Sequence, residues 1–107
     1  MLDIHSAPIA TGEARIAVSG EIDLGTAPQL ESDLADALSA APTHITVDLS
    51  DVGFIDPTGV SVLVRSAHRG QQSGVIVRVH GAQGIVARVL QVTGVAGYLQ
   101  VPVEGEA

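Results

Sequence analysis

The chain has 107 residues, 46% of them hydrophobic, which is enough for one domain whose core needs no disulfide or structural metal. The absence of cysteine excludes a disulfide scaffold, a thiolate zinc site and a cysteine nucleophile. Five arginines, no lysines and twelve acids give a net charge of −7, which argues against nucleic acid and anionic membrane surfaces as partners.

The first predicted regular elements are two strands and a helix. Residues 2–10 are a candidate extra strand, and residues 15–20 alternate small apolar side chains as a strand does. A turn over residues 21–25 leads to a helix at about 27–41, which Pro42 ends. We expect Thr26 to cap this helix and Gln29 to complete a capping box.

The middle of the chain predicts a strand, a loop and a second helix. Period-two alternation over residues 44–49 indicates the strand, and residues 50–55 are assigned to the loop. Asp56 is the expected N-cap of the helix, with Pro57 at its first position. Gly70 or Gly74 is expected to end it.

The last third predicts a strand over residues 75–80, a helix after residues 81–84, and a short edge strand over residues 98–103. Gly94 is expected to close the helix in the left-handed conformation, and residues 104–107 to form a frayed tail. The helix side chains expected to face inward are Ile85, Val86, Val89, Leu90 and Thr93.

Polar side chains on the alternate strand face narrow the fold class. Thr46, Asp48, Arg78 and His80 would lie on one side of two strands, so helices on both sides are not expected. We predict an α/β fold with a mixed four- or five-stranded sheet and helices packed on one face. Residues 1–107 then form a single domain, with a core over about 12–101.

Signals for other chemistry are weak. The step from Gly81 to Gly84 has the spacing of a GxxG loop but no basic residue, so a turn is the better interpretation. The four histidines are scattered, the cluster of Asp48, Asp51 and Asp56 fits no cation loop, and no G-x-S-x-G occurs. We therefore expect no catalytic residue, metal or cofactor. The acidic face of the first helix is interpreted as solvated, although it could attract an arginine-bearing partner; its acids are Glu31, Asp33 and Asp36.

The most informative segment is residues 47–60, VDLSDVGFIDPTGV, which passes from a strand to a capped helix start. Good capping alone would explain Asp56 and Pro57. The run also resembles the DLS-x-V-x-F-I-D-S-[ST]-G signature of STAS domains, the fold of bacterial anti-sigma factor antagonists. Gly20-Glu21-Ile22-Asp23, Gly74 before a valine-rich strand, and the segment VLQVTGV at residues 89–95 agree with the same family.

The resemblance implies a regulator rather than an enzyme. In the family, the hydroxyl residue before the glycine, here Thr58, is phosphorylated by an anti-sigma factor with serine kinase activity, and a PP2C-type phosphatase reverses the modification. Only the unphosphorylated form binds the anti-sigma factor, which then releases its sigma factor. We expect a cytoplasmic protein that is monomeric when free and does not insert into membranes. The residues expected to bind the partner are Asp23, Asp56, Pro57, Thr58, Gly59 and Ser61.

Two departures from the pattern keep other functions open. Serine is usual at the position of Pro57 and commoner at that of Thr58, and the threonine methyl group crowds the attacking oxygen. The alternative is a STAS module that is never phosphorylated and serves as a structural subunit of a lipid-transport complex or signalling scaffold. A small-ligand or nucleotide binder that uses the same loop is a third class.

Overall fold

The computed structural model describes residues 2–10, 12–95 and 99, without the side chains of residues 8–10. Four strands and three helices follow one another in the described residues, and the strands extend further than the alternation in the sequence indicates. The elements are β1 (Leu2–Ala10), β2 (Glu13–Ile22), α1 (Ala27–Ser39), β3 (His44–Ile55), α2 (Pro57–Gln72), β4 (Ile76–His80) and α3 (Gly84–Val92).

The four strands form one mixed sheet in the order β1-β2-β3-β4. β1 pairs antiparallel with β2, whereas β2, β3 and β4 run parallel to one another. The parallel strands are connected through α1 and α2, as crossover connections require. The carboxyl ends of β2 and β3 therefore lie at the same edge of the sheet, and α1 and α2 both begin there.

One face of the sheet and the three helices share the apolar core. Fully buried side chains come from the strands and from every helix, including Ile16, Val47, Leu34, Leu63 and Leu90. The other face carries the polar residues, and Arg15, Thr46 and Arg78 are neighbours across β2, β3 and β4. The α/β class and mixed sheet are confirmed, with four strands in the described residues.

The sequence predictions for β3 and for the inner face of α3 differ from the structure. β3 continues through residues 50–55, which were assigned to a loop, because two irregularities in its pairing with β2 return Val52 and Ile55 to the buried side. Ile85 is 53% exposed and Thr93 is exposed, so neither faces the core as expected. The helix α2 ends at Gln72 with Ser73 as its C-cap, and Gly74 follows in the left-handed conformation with φ of +76°, so the second of the two glycines proposed as its end closes it as predicted.

The predicted edge strand over residues 98–103 and the tail over 104–107 lie outside the described residues, apart from Leu99. The Leu99 side chain is buried, and its carbonyl accepts a hydrogen bond from the N–H of Val79 at 3.1 Å. No helix within the described ranges combines the length and apolarity needed to cross a membrane.

Candidate partner-binding site

Two chain segments meet where β2 and β3 end. The N–H of Asp56, which follows β3, donates a hydrogen bond to the carbonyl of Ile22, the last residue of β2, at 3.0 Å. Asp23 is the next residue after Ile22. The structure thus brings the two acids that the sequence singled out to adjacent turns at one edge of the sheet.

The turn after β2 is held by hydrogen bonds that centre on Asp23. Its carboxylate accepts from the N–H groups of Gly25 and Thr26 at 3.0 and 3.1 Å. The predicted capping box is wrong. The Thr26 hydroxyl donates instead to the carbonyl of Glu21 at 2.8 Å, and the Gln29 side chain donates to the carbonyl of Leu2 at 3.2 Å.

The start of α2 follows the sequence prediction. Asp56 is the N-cap in extended conformation, and its side chain accepts from the N–H of Gly59 at 3.0 Å. Pro57 occupies the first helical position and is exposed. Ser61, one helical turn beyond Thr58, is also exposed.

Thr58 is the residue that the sequence proposes as the phosphorylation site. Thr58 is half-buried at the second position of α2, and within the described part of the chain its hydroxyl makes no hydrogen bond. Its N–H belongs to the first turn of the helix, where no intrahelical acceptor exists. An oxygen in this position can carry an added phosphate close to the positive end of the helix dipole.

Gly59 explains why the helix start can lie so close to the sheet. A β-carbon at this position would be 2.4 Å from Cγ2 of Ile22 and 2.8 Å from Cγ1 of Ile55, so only glycine fits. The backbone that carries Thr58 therefore packs directly on the two buried isoleucines that end β2 and β3. This close packing fixes the backbone of the helix start against the ends of β2 and β3.

Two exposed apolar side chains lie within two residues of the two acids in the sequence, and neither was identified as exposed from the sequence. Leu24 is 73% exposed in the turn beside Asp23, and Phe54 is 42% exposed two residues before Asp56. Phe54 lies opposite Glu21 in the β2–β3 pairing. The sequence contains one sign that Leu24 is exposed. It lies in a turn between Asp23 and Gly25, where a side chain has little access to the core.

Asp48, one of the acids weighed as a cation ligand, is instead engaged within the sheet. Only 7% of it is exposed, and its carboxylate accepts hydrogen bonds from the Arg15 side chain and, at 3.0 Å, from the N–H of Ser50. Burial raises the pKa of Asp48, but the hydrogen bonds from Ser50 and Arg15 and the Arg15 charge together lower it below its ordinary value. Among the described residues, no group of three or more His, Asp or Glu side chains could hold a metal ion.

The GxxG step is a turn packed on the same strand. Gly81 has φ of +76°, and a β-carbon there would lie 2.8 Å from the carboxylate of Asp48. Gln83 donates a side-chain hydrogen bond to the carbonyl of Ser50 at 3.0 Å. A loop that packs against a carboxylate is a poor site for a phosphate.

Comparison with known proteins places this geometry in context. The family model described as "Mlab, STAS domain" matches residues 5–102. The anti-sigma-F factor antagonist RsfB of Mycobacterium tuberculosis is 36% identical over 70 residues, which are 63% of this chain and 57% of RsfB. The chain thus matches little more than half the length of that relative.

Two further proteins are similar over more of their length. The anti-sigma-B factor antagonist of Staphylococcus aureus is 27% identical over 86 residues, which are 80% of each chain. The crystal structure of an anti-sigma factor antagonist from Mycobacterium paratuberculosis superposes with a TM-score of 0.83 at 27% identity, and the match covers 97% of this chain and 88% of that one.

Proposed function

The chain belongs to the STAS domain family, and we propose that it is an anti-sigma factor antagonist controlled by phosphorylation of Thr58. In its unphosphorylated form it binds an anti-sigma factor that is also a serine kinase, and a sigma factor is thereby released. A PP2C-type phosphatase restores the binding form. The names of the two antagonists and of the superposed structure support the regulatory class. The protein itself is proposed to be a cytoplasmic, non-enzymatic monomer.

The observation that carries this proposal is the state of the Thr58 hydroxyl. It has no hydrogen-bond partner in the described residues, although it lies between the cap Asp56 and Gly59, which are joined by a hydrogen bond, and Gly59 packs closely on the sheet. A hydroxyl kept free on a rigid backbone suits an in-line attack on the γ-phosphate of ATP held by the partner.

The proposed docking surface combines charge with apolar area. Leu24 and Phe54 offer exposed apolar contacts beside the acids, and aromatic anchors of this kind contribute strongly to binding free energy. The proposed contact residues predicted from the sequence are Asp23, Asp56, Pro57, Thr58, Gly59 and Ser61.

Phosphorylation would act on docking rather than on folding. A phosphate adds about −1.5 to −2 charges next to the carboxylate of Asp56. Two unit charges about 5 Å apart repel by about 3 kcal/mol at an effective dielectric constant near 20, so an acidic side chain of the partner at that distance would oppose docking of the phosphorylated form. The first-turn N–H groups of α2 stabilise the phosphate on the protein itself, whereas a partner surface that fits the unmodified hydroxyl meets new charge and bulk. A loss of 1.4 kcal/mol already weakens binding about tenfold.

The test is to map phosphate on protein recovered from its native cells while phosphatases are inhibited. We expect phosphate on the peptide that contains Thr58 in the wild type and none on that peptide in Thr58→Ala. Thr58→Ser should be phosphorylated at least as well, because serine lacks the methyl group that crowds the attacking oxygen. An unmodified Thr58 under conditions in which the partner is active would contradict the proposal.

A second candidate is a STAS module that is never phosphorylated and serves as a structural subunit of a lipid-transport complex or signalling scaffold. Pro57 favours it, because proline removes a second hydroxyl and one backbone N–H from the helix start. If this second function is correct, we expect the protein to associate stably with a membrane or scaffold subunit whatever residue occupies position 58. Co-purification with wild-type and Thr58→Glu proteins separates the two candidates.

A further inference from the structure

The face of α2 that carries Thr58 also carries an arginine. Arg65 follows Thr58 by two helical turns, so the two residues lie on the same face of the helix, roughly 10 Å apart along its axis. Ser61 is the only exposed residue between them. The exposed face of α2 therefore runs without interruption from the proposed phosphorylation site to Arg65.

The guanidinium of Arg65 is held in place by α1. Its Nε and Nη2 atoms donate hydrogen bonds to Oε2 of Glu31 at 3.2 and 3.0 Å. The guanidinium keeps further N–H donors for an acceptor outside the chain. The side chains of Arg65 and Glu31 are 54% and 40% exposed, and a pair this exposed contributes little to stability. The ion pair thus orients Arg65 but leaves it free to exchange its acceptor.

Arg65 is also the basic side chain nearest to Thr58 along α2. The two turns that meet at the site, residues 21–26 and 51–58, contain acids but no arginine, lysine or histidine. The other arginines lie one turn further along α2 and in β2, β4 and α3, and they are Arg69, Arg15, Arg78 and Arg88.

The direction of the proposed switch determines the charge of the partner surface that meets this face, so this step rests on the proposed function. A phosphate on Thr58 adds about −1.5 to −2 charges. A basic partner surface would bind that form more tightly, which is the opposite of the proposed switch. The partner surface therefore carries acidic side chains, which the acids of the site would repel unless a cation attracts them. On α2 that cation is Arg65.

We infer that Arg65 docks an acidic side chain of the anti-sigma factor, which takes the place of Glu31 on the guanidinium. Arg65 then determines which partner binds, because a surface without a matching carboxylate gains nothing from this contact. Phosphorylation of Thr58 places negative charge on the same face and offsets the attraction that Arg65 provides.

The test compares two variants that break the same ion pair. Calorimetry measures the affinity of the full chain for the purified anti-sigma factor that the wild type retains. Arg65→Gln should weaken binding about tenfold, because a charge-assisted contact with the partner is lost. Glu31→Gln should strengthen binding about twofold or more, because Glu31 no longer competes for the guanidinium.

Two control variants change the charge without touching the ion pair. Arg69→Gln removes the same positive charge one turn further from Thr58, and Asp36→Asn removes a negative charge from an exposed position of α1. Both should change the affinity by less than about twofold, because exposed charges away from the contact are screened by salt. Binding of Arg65→Glu should be restored by an arginine in place of one exposed acid of the partner.

The outcomes that overturn the inference differ from those that overturn the proposed function. Equal weakening by Arg65→Gln and Glu31→Gln would mean that the ion pair serves only the structure of the free protein. Equal weakening by Arg65→Gln and Arg69→Gln would mean that only net charge matters. Unchanged affinity of Arg65→Gln, with binding lost in Thr58→Glu, would overturn the role of Arg65 and leave the switch standing. Equal binding by wild type and Thr58→Glu would contradict the proposed function, and the inference with it.

Discussion

Gly59 is the residue on which the geometry of the Thr58 site most depends. We expect Gly59→Ala to lower the free energy of unfolding by about 1–3 kcal/mol, because the new methyl group would overlap Ile22 and Ile55. Urea unfolding measures the change. Gly53→Ala is the matched control, since a β-carbon there meets nothing within 4 Å, and it should change stability by less than about 0.5 kcal/mol. Equal losses of stability in the two variants would refute the close approach of Gly59 to Ile22 and Ile55.

Asp48 makes the stability of the folded protein depend on pH, and its pKa defines the direction of that dependence. Its pKa in the folded protein lies below the ordinary value of about 3.9, so it stabilises the fold above that pH. The contribution is lost as pH falls through the lowered pKa. Because half-exposed Arg15 is screened by solvent, we expect Asp48→Asn to cost only about 1 kcal/mol at pH 7.

Urea unfolding of wild type and Asp48→Asn across acid pH checks this sign. The difference in stability should shrink as the pH falls below about 4. Asp51→Asn, at an exposed position of the same strand, serves as control and should show no comparable loss at pH 7. If the stability difference between wild type and Asp48→Asn grew as the pH falls, the lowered pKa of Asp48 would be contradicted.

At the scale of elements, α1 ends in an unfavourable conformation that can be relieved. Ala41 follows the helix with φ of +52°, which costs an alanine about 1 kcal/mol and a glycine nothing. We expect Ala41→Gly to raise the free energy of unfolding by about 0.5–1 kcal/mol in thermal or urea unfolding. Ala40→Gly is the control, because Ala40 has φ of −77° and gains nothing from glycine. Stabilisation by both substitutions would point to another cause.

The elements also show what could be predicted from the sequence. Capping and proline signals placed the start of α2 correctly, because Asp56 and Pro57 act through local backbone geometry alone. The continuation of β3 could not be predicted, since its irregular pairing with β2 breaks the period-two pattern. The capping box at Thr26 failed for a related reason. The Gln29 side chain bonds to the carbonyl of Leu2 in β1, a tertiary partner, and the Thr26 hydroxyl bonds to the carbonyl of Glu21 near the end of β2.

At the scale of the whole molecule, the candidate site is a surface built by two turns that are distant in sequence. The acids and Thr58 were predicted from the motif, but the exposure of Leu24 and Phe54 depends on how the core fills with aliphatic side chains from elsewhere. The alternation of apolar and polar residues along one strand does not show which apolar side chains stay outside the core. The two apolar residues are therefore the contribution of the structure to the proposed surface.

These apolar residues should matter for binding and little for folding. We expect Leu24→Ser and Phe54→Ser each to weaken the complex with the purified anti-sigma factor by about tenfold or more, measured by calorimetry. Leu24→Ser should change stability by less than about 1 kcal/mol, because Leu24 is 73% exposed, and Phe54→Ser should cost up to about 2 kcal/mol, because Phe54 is 42% exposed. Ile85→Ser is the matched control, since Ile85 is 53% exposed on α3. Unchanged affinity in both variants would exclude them from the interface.

The central claim is that the charge state of Thr58 decides which partner is held. The most direct measurement is a pull-down from native extract with wild-type, Thr58→Glu and Ser32→Glu proteins, with mass spectrometry of everything retained. Ser32→Glu adds the same charge at an exposed position of α1. We predict that wild type and Ser32→Glu retain an ATPase that also binds a sigma factor, and that Thr58→Glu loses it. Retention of one transporter or scaffold subunit by all three proteins would contradict the switch.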